Sequence, residues 1–209
     1  MNPLQKIGNV PFDLSVLQSL YPECGHITDK AIRLEAEGAI IRLKRGLYVV
    51  NPESGALSRG LIANHMYGPS YVSRHTALRH YGLTPEAVYL TQSVTTKHSR
   101  QFSSSAGCYD YRNCAPEYFH IGVRAVCEGG VSYLIASPEK ALCDAVNFGK
   151  GVNLRFMKDV AAYLEEDIRF DMSALSGFDV EMMARCVPFS SKGQSISSLV
   201  KFIRYEYAV

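Results

Sequence analysis

The sequence predicts an α+β chain in two parts: a small helix, helix and hairpin unit over residues 1–52, then a mixed α/β domain over residues 53–209 with a helical C-terminal part. Three observations predict it. Two short amphipathic helical stretches precede a pair of β-rich runs joined at a basic turn, Lys44, Arg45 and Gly46. Asn51, Pro52, Glu53, Ser54 and Gly55 then punctuate the chain as a boundary. Beyond that boundary, β-branched runs alternate with helical ones, and the segment from residue 155 onward reads as helices.

Residues 12–21 place Leu14, Val16, Leu17 and Leu20 at helical spacings, with Asp13 positioned to cap the first turn by accepting a backbone N–H. After Gly25, Thr28 is the expected N-cap of a second helix over residues 29–37, and Gly38 its C-terminal stop. Ile27, Ala31 and Leu34 form the inward stripe of that helix, while Lys30, Arg33 and Glu37 project from the other side. In residues 39–50, Gly46 permits the positive φ that a tight hairpin needs. Helix, helix and a hairpin with a cationic tip is the order of parts in a winged helix-turn-helix, where the second helix enters the major groove and the wing follows phosphates. Such a module has one more helix in front. Either residues 4–10 supply it, or the unit is abbreviated.

In the larger part, residues 57–67 and 71–81 read as helices separated by Gly68, Pro69 and Ser70, the second of them stopped by Gly82. Residues 88–96, 118–126 and 131–136 read as strands. Pro138 opens a helix over residues 139–148, since its missing N–H costs nothing in a first turn. Further helices are expected over residues 155–165, 180–186 and 197–207.

With 209 residues, 47% of them hydrophobic, the chain has ample material for a packed core. No apolar run approaches the roughly 20 residues that a bilayer span requires, and no leader pattern opens the chain. A cytoplasmic protein without a membrane partner is therefore expected. The six cysteines include no C-x-x-C pair, which points to reduced thiols that pack. Net charge is only +2, but it is unevenly spread: residues 1–100 hold 11 Lys and Arg against 7 acids, and residues 101–209 hold 11 against 13. The excess of cations lies at the end where the hairpin is.

Four segments carry a family resemblance. EGAIIRLKRGLYVV (residues 37–50), YGPSYVSRHTALRHYGLTPE (67–86), VYLTQSVTTKHSRQF (88–102) and IASPEKALCDAV (135–146) resemble, in order, segments of the AbiEi-type antitoxins of type IV toxin–antitoxin systems, a family of transcriptional regulators. The resemblance implies a winged helix that binds inverted repeats in double-stranded DNA of its own promoter and represses transcription. It also implies a second, antitoxin domain that counteracts a nucleotidyltransferase-like toxin without requiring a stable complex with it.

Candidate DNA-binding residues follow from both readings. Lys30 and Arg33 on the second helix can reach bases or phosphates, Thr28 can offer a hydroxyl to a phosphate, and Arg42, Lys44 and Arg45 crowd three cations near the hairpin tip. A second basic surface is expected from Lys97, His98 and Arg100 after the 88–96 strand, and from Arg74 and Arg79 with His75 and His80 along the 71–81 helix. Each of these sets also fits an ordinary solvated surface. No H-E-x-x-H, cysteine pair, G-x-S-x-G or phosphate-cradling loop is present, so neither a metal site, a cofactor nor a catalytic residue is expected. Glu139 and Lys140 are adjacent at a helix start, where Glu139 compensates the helix dipole, and Cys143 reads as a packing group. Two alternatives stay open: a nuclease-like enzyme targeted by a winged helix, and a protein-interaction module with a vestigial one.

Overall fold

The computed structural model describes residues 3–52, 57–85 and 89–207. The expected boundary residues Glu53, Ser54 and Gly55, and Val88 at the head of the 88–96 strand, lie outside them. Within the described residues the chain is a mixed α+β protein with two sheets.

The first 52 residues build the smaller sheet. A 3-10 turn at Pro3–Lys6 seats the buried Leu4, the only helical turn ahead of α1 among the described residues. A two-residue strand β1 (Phe12–Asp13) leads into α1 (Leu14–Leu20), where the Asp13 carboxylate accepts from the backbone N–H groups of Ser15 and Val16 as the sequence predicts. Helix α2 (Ile27–Ala36) starts one residue before Thr28. His26 occupies the cap position without a side-chain bond, so Thr28 is a first-turn residue rather than the cap. Gly38, at φ +72°, turns the chain into β2 (Ile40–Lys44), and Gly46, at φ +77°, closes the hairpin with β3 (Leu47–Val50). Strand β3 lies between β1 and β2, antiparallel to both.

The hairpin has two buried faces. Ile40 and Tyr48 join Leu4, Phe12, Leu17, Ala31 and Leu34 in the small core. Leu43 and Val49 point the other way, into the core of the larger sheet. Buried apolar area on both faces stabilises the joint by about 25 cal/mol per Å² removed from water.

The larger sheet has six strands in the order β6, β7, β5, β4, β9, β8. They are β4 (Ser70–Val72), β5 (Leu90–Thr95), β6 (Arg100–Ser104), β7 (Gly107–Asn113), β8 (Val123–Glu128) and β9 (Val131–Ala136). Pairs β4/β5, β6/β7 and β8/β9 are antiparallel, and β5/β7 and β4/β9 are parallel. Helix α3 (Arg59–Met66) packs across β4, β5 and β9 on one face, and its Ala63 carbonyl accepts from Ser70 and Tyr111 of the sheet. Helices α4 (Arg74–His80) and α6 (Pro138–Phe148) cover the other, backed by α7 (Met157–Ala162), α8 (Val180–Cys186) and α9 (Gly193–Tyr207).

Three expectations change. The 71–81 stretch is not one helix: Ser70–Val72 pairs with both β5 and β9, and α4 begins only after Ser73. Arg74, at φ +54°, makes the break. Residues 118–126 likewise divide into the end of a short helix α5 (Pro116–Phe119), a turn through Gly122 at φ +63°, and β8. Strands β6 and β7 fall where the sequence signals no strand.

A fully buried ion pair locks the helical layer to the sheet. Lys140 and Asp144, one turn apart on α6, lie 3.2 Å from each other with both side chains fully buried. Ser73 and Tyr118 donate to the two Asp144 oxygens at 2.5 and 2.7 Å, and Lys140 donates to the Tyr118 carbonyl. Every oxygen of the carboxylate is therefore matched, as a charge taken out of water requires. Cys143 is buried beside this pair as a packing group, and all six cysteines are free of disulfides. No helix among the described residues is long and apolar enough to cross a membrane.

Candidate nucleic-acid interface

Helix α2 buries Ala31 and Leu34 and leaves Thr28, Asp29, Ile32, Arg33, Glu35 and Ala36 exposed. Ile32 is the informative one. At 57% exposed it is a large apolar side chain standing in the middle of a polar helix face, flanked one turn away by Thr28 and Ala36. Apolar groups at such positions are suited to thymine methyls in a major groove. Ile32 is absent from the inward stripe read from the sequence and from the candidate binding residues alike; the burial of Ala31 and Leu34 shows that it faces outward.

Lys30 is half-buried, its ammonium 4.7 Å above the centre of the Tyr21 ring. Its position is fixed by that ring, while Arg33 remains exposed beside the same hollow.

The three hairpin cations take different directions. Arg42 lies opposite Tyr48, on the sheet face shared with Ile40, and is exposed on the side of the helices. Arg45 sits exposed in the turn. An irregularity in register between Arg42 and Lys44 swings Lys44 the other way. Its ammonium donates to the Met66 carbonyl at 2.5 Å, at the C-terminal end of α3 where the helix dipole is negative.

That swing brings together clusters far apart in sequence. Lys44 lies within reach of Lys97 and Arg100, and burial together with these two cations holds its pKa below the ordinary lysine value. Beneath them is an aromatic platform of Tyr67, Phe102 and Tyr111, with ring centroids 5.3 to 5.7 Å apart. Lys97 stands 5.4 Å over Tyr67, Arg100 5.0 Å over Phe102, and Lys44 5.9 Å from the Phe102 centre. The negative faces of the rings hold the cations in place without neutralising them. Among the described residues none of the three forms an ion pair with a carboxylate. His98 lies exposed in the same turn.

Arg74 and Arg79 do not extend this surface as one basic helix face. Arg74 is 9% exposed and its guanidinium is bound to Asp110 at 2.7 Å, with Arg112 on the same oxygen at 3.1 Å. It is a structural ion pair, corrected from a candidate binding group because β4 ends two residues before it and its positive φ turns it inward over the sheet. Arg79 is exposed in the last turn of α4.

Among the described residues no group of three histidines, cysteines or acids is placed to hold a metal ion. The arrangement is one of charge, shape and aromatic surface, suited to binding an extended polyanion. No protein-family model matches the chain, and a search of curated proteins finds no match.

Proposed function

We propose that this chain is a DNA-binding autoregulator whose first 52 residues act as a winged helix-turn-helix, and whose larger domain serves as the antitoxin to a nucleotidyltransferase-like toxin. The observation that carries the DNA reading is the gathering of Lys44, Lys97 and Arg100 on one aromatic platform with no acidic counter-charge among the described residues. Like charges so placed repel one another, and a phosphate chain lying across them removes the penalty.

The order of parts agrees with this reading. Helix α2 precedes the β2/β3 hairpin of a sheet ordered β1, β3, β2, and the hairpin links α2 to the basic platform. In the proposed complex α2 enters the major groove, with Ile32 and Arg33 reading base edges and Thr28 and Lys30 near the backbone. Arg42 and Arg45 follow one strand of phosphates. Lys97 and Arg100 extend the phosphate contact onto the larger domain, so the two parts grip one duplex as a rigid unit. The antitoxin role rests on the resemblance of the four segments, which span both parts of the chain.

Fluorescence anisotropy with duplexes from the region upstream of the chain's own reading frame tests the first half. The proposal expects tighter binding to one of these than to a shuffled duplex, with the labelled DNA left uncut in magnesium. Equal affinity for both duplexes overturns it. Coexpression with an adjacent nucleotidyltransferase-like gene tests the second half: growth is rescued by the intact chain, and absence of rescue removes the antitoxin role.

A further inference from the structure

Strand β8 is the open edge of the larger sheet. At the opposite edge β6 runs beside β2 of the smaller sheet, whereas β8 pairs with β9 alone among the described strands. It is six residues long, and its register against β9 runs unbroken from Val123 opposite Ala136 to Glu128 opposite Val131. Such an edge turns a row of backbone N–H and C=O groups outward, and folds ordinarily blunt it with a bulge, a proline, a lysine or a covering segment. Strand β8 has no bulge, proline or lysine, and Arg124, Ala125, Cys127 and Glu128 are all exposed. Leu134, opposite Ala125 on β9, is itself 40% exposed, so the uncovered surface extends inward past the edge.

The charges on this edge match a second copy of themselves. Alternate residues of a strand share a face, which puts Arg124, Val126 and Glu128 together. When two identical strands pair antiparallel about a two-fold axis at Val126, Arg124 of each lies directly opposite Glu128 of the other. Both groups have capacity to spare. Arg124 pairs only loosely within the chain, with Glu139 at 4.0 Å. Glu128 accepts from the Tyr133 hydroxyl through one oxygen and forms no ion pair among the described residues. On the other face Ala125 meets Cys127, two small side chains that let the backbones close. Other registers lose the match: a shift by two residues separates both charge pairs, and in-register parallel pairing sets Arg124 against Arg124.

We propose that β8 is a homodimer interface: two copies of this chain pair antiparallel along it, in the register centred on Val126, and join their larger sheets into one. The pairing gains backbone hydrogen bonds and cross-strand contacts but covers little apolar surface. The dimer is therefore reversible, with a dissociation constant in the micromolar range. It does not depend on the DNA reading. Where that reading holds, the dimer relates two copies of α2 by a two-fold axis, the symmetry of an inverted repeat.

Sedimentation velocity of the full chain without DNA, over concentrations from about 1 to about 300 µM, tests this. The parent should pass from monomer to dimer across that range. Arg124→Glu sets like charges opposite each other at both ends of the ladder and should weaken the dimer roughly tenfold, and Glu128→Arg should do the same. The variant carrying both exchanges restores the match with its signs reversed. It should dimerise like the parent, a recovery that damage to the fold by either single exchange would not allow. Thiol chemistry gives a second readout, because Cys127 of one copy lies diagonal to Cys127 of the other, about 7–8 Å away. A short bis-maleimide should link the dimer, and Cys127→Ser should abolish the link while Cys108→Ser, at the other exposed thiol, should not. A parent that stays monomeric throughout overturns the proposal and leaves the edge to a strand of another protein. A dimer indifferent to both single exchanges, or not recovered by the double one, overturns the register and with it the interface.

Discussion

The Lys44 ammonium donates to the Met66 carbonyl oxygen at 2.5 Å, tying the tip of the hairpin of the N-terminal unit to the end of α3 in the larger domain. It places a hairpin cation over Phe102 beside Lys97 and Arg100, while Leu43 and Val49 fix the same hairpin from beneath. Lys44→Met keeps the stem and removes the charge. It should cost about 1 kcal/mol in urea unfolding from the lost hydrogen bond, offset in part by relief of repulsion. A loss much above that would mean the ammonium anchors more than the one carbonyl.

Lys97→Gln should move stability and function differently. Its charged neighbours are cations, its contact with the Tyr67 ring is that of an exposed side chain, and urea unfolding free energies should stay within about 0.5 kcal/mol of the parent. Duplex affinity should fall all the same. A matched drop in both would assign Lys97 to the fold instead.

Ile32→Ala separates reading from gripping. The side chain is mostly exposed, so thermal stability should hardly change. Affinity for a specific duplex should fall by about 1 kcal/mol or more, within the 1–3 kcal/mol typical of one lost base contact, and binding to a shuffled duplex should be unaffected. Equal loss on both duplexes would place Ile32 outside the groove.

Removing one member of the buried pair, by Lys140→Ala, leaves Asp144 charged and enclosed. The expected cost in urea unfolding is about 3–5 kcal/mol, the range for a broken buried pair. Tyr118→Phe removes one of the carboxylate's donors and should cost about 1–3 kcal/mol. A neutral outcome for Lys140→Ala would show that water reaches this site.

Asp110 gives an acid dependence with a definite sign. Burial pushes its pKa up, but hydrogen bonds from Gln101 and Arg74 and the charges of Arg112 and Arg74 outweigh this and hold it below the usual carboxylate value. The folded pKa is thus depressed, so this carboxylate's stabilisation is complete above the unfolded value of about 3.9 and is lost as pH falls through the folded one. Asp110→Asn should lower stability at pH 7 and flatten its decline below about pH 4. An unchanged acid limb would mean Asp110 is not among the groups that set it.

The hairpin was legible in the sequence because its signals are local: β-branched runs, a glycine able to take positive φ, and a capped helix before it. Residues 71–81 were not, since Tyr71 and Val72 carry no mark that distinguishes a strand from a helix start. Their state is set by β5 and β9, which lie on either side of them in the sheet. Strands β6 and β7 were obscured for a related reason. Ser103, Ser104 and Asp110 are polar, and their pairing is decided by the sheet and by the Arg74 contact. Arg42, Lys44 and Arg45 were visible as a cluster, but the register irregularity that parts them was not. Lys97 and Arg100 were visible as a second cluster; that they meet Lys44 depends on tertiary packing alone.

The most direct test is the salt dependence of duplex binding for the parent chain and for the Lys97→Ala, Arg100→Ala double variant. A phosphate contact contributes about 0.9 to the slope of log affinity against log salt, so losing two should reduce its magnitude by roughly 2. An identical slope would show that Lys97 and Arg100 of the basic platform do not lie on the nucleic acid.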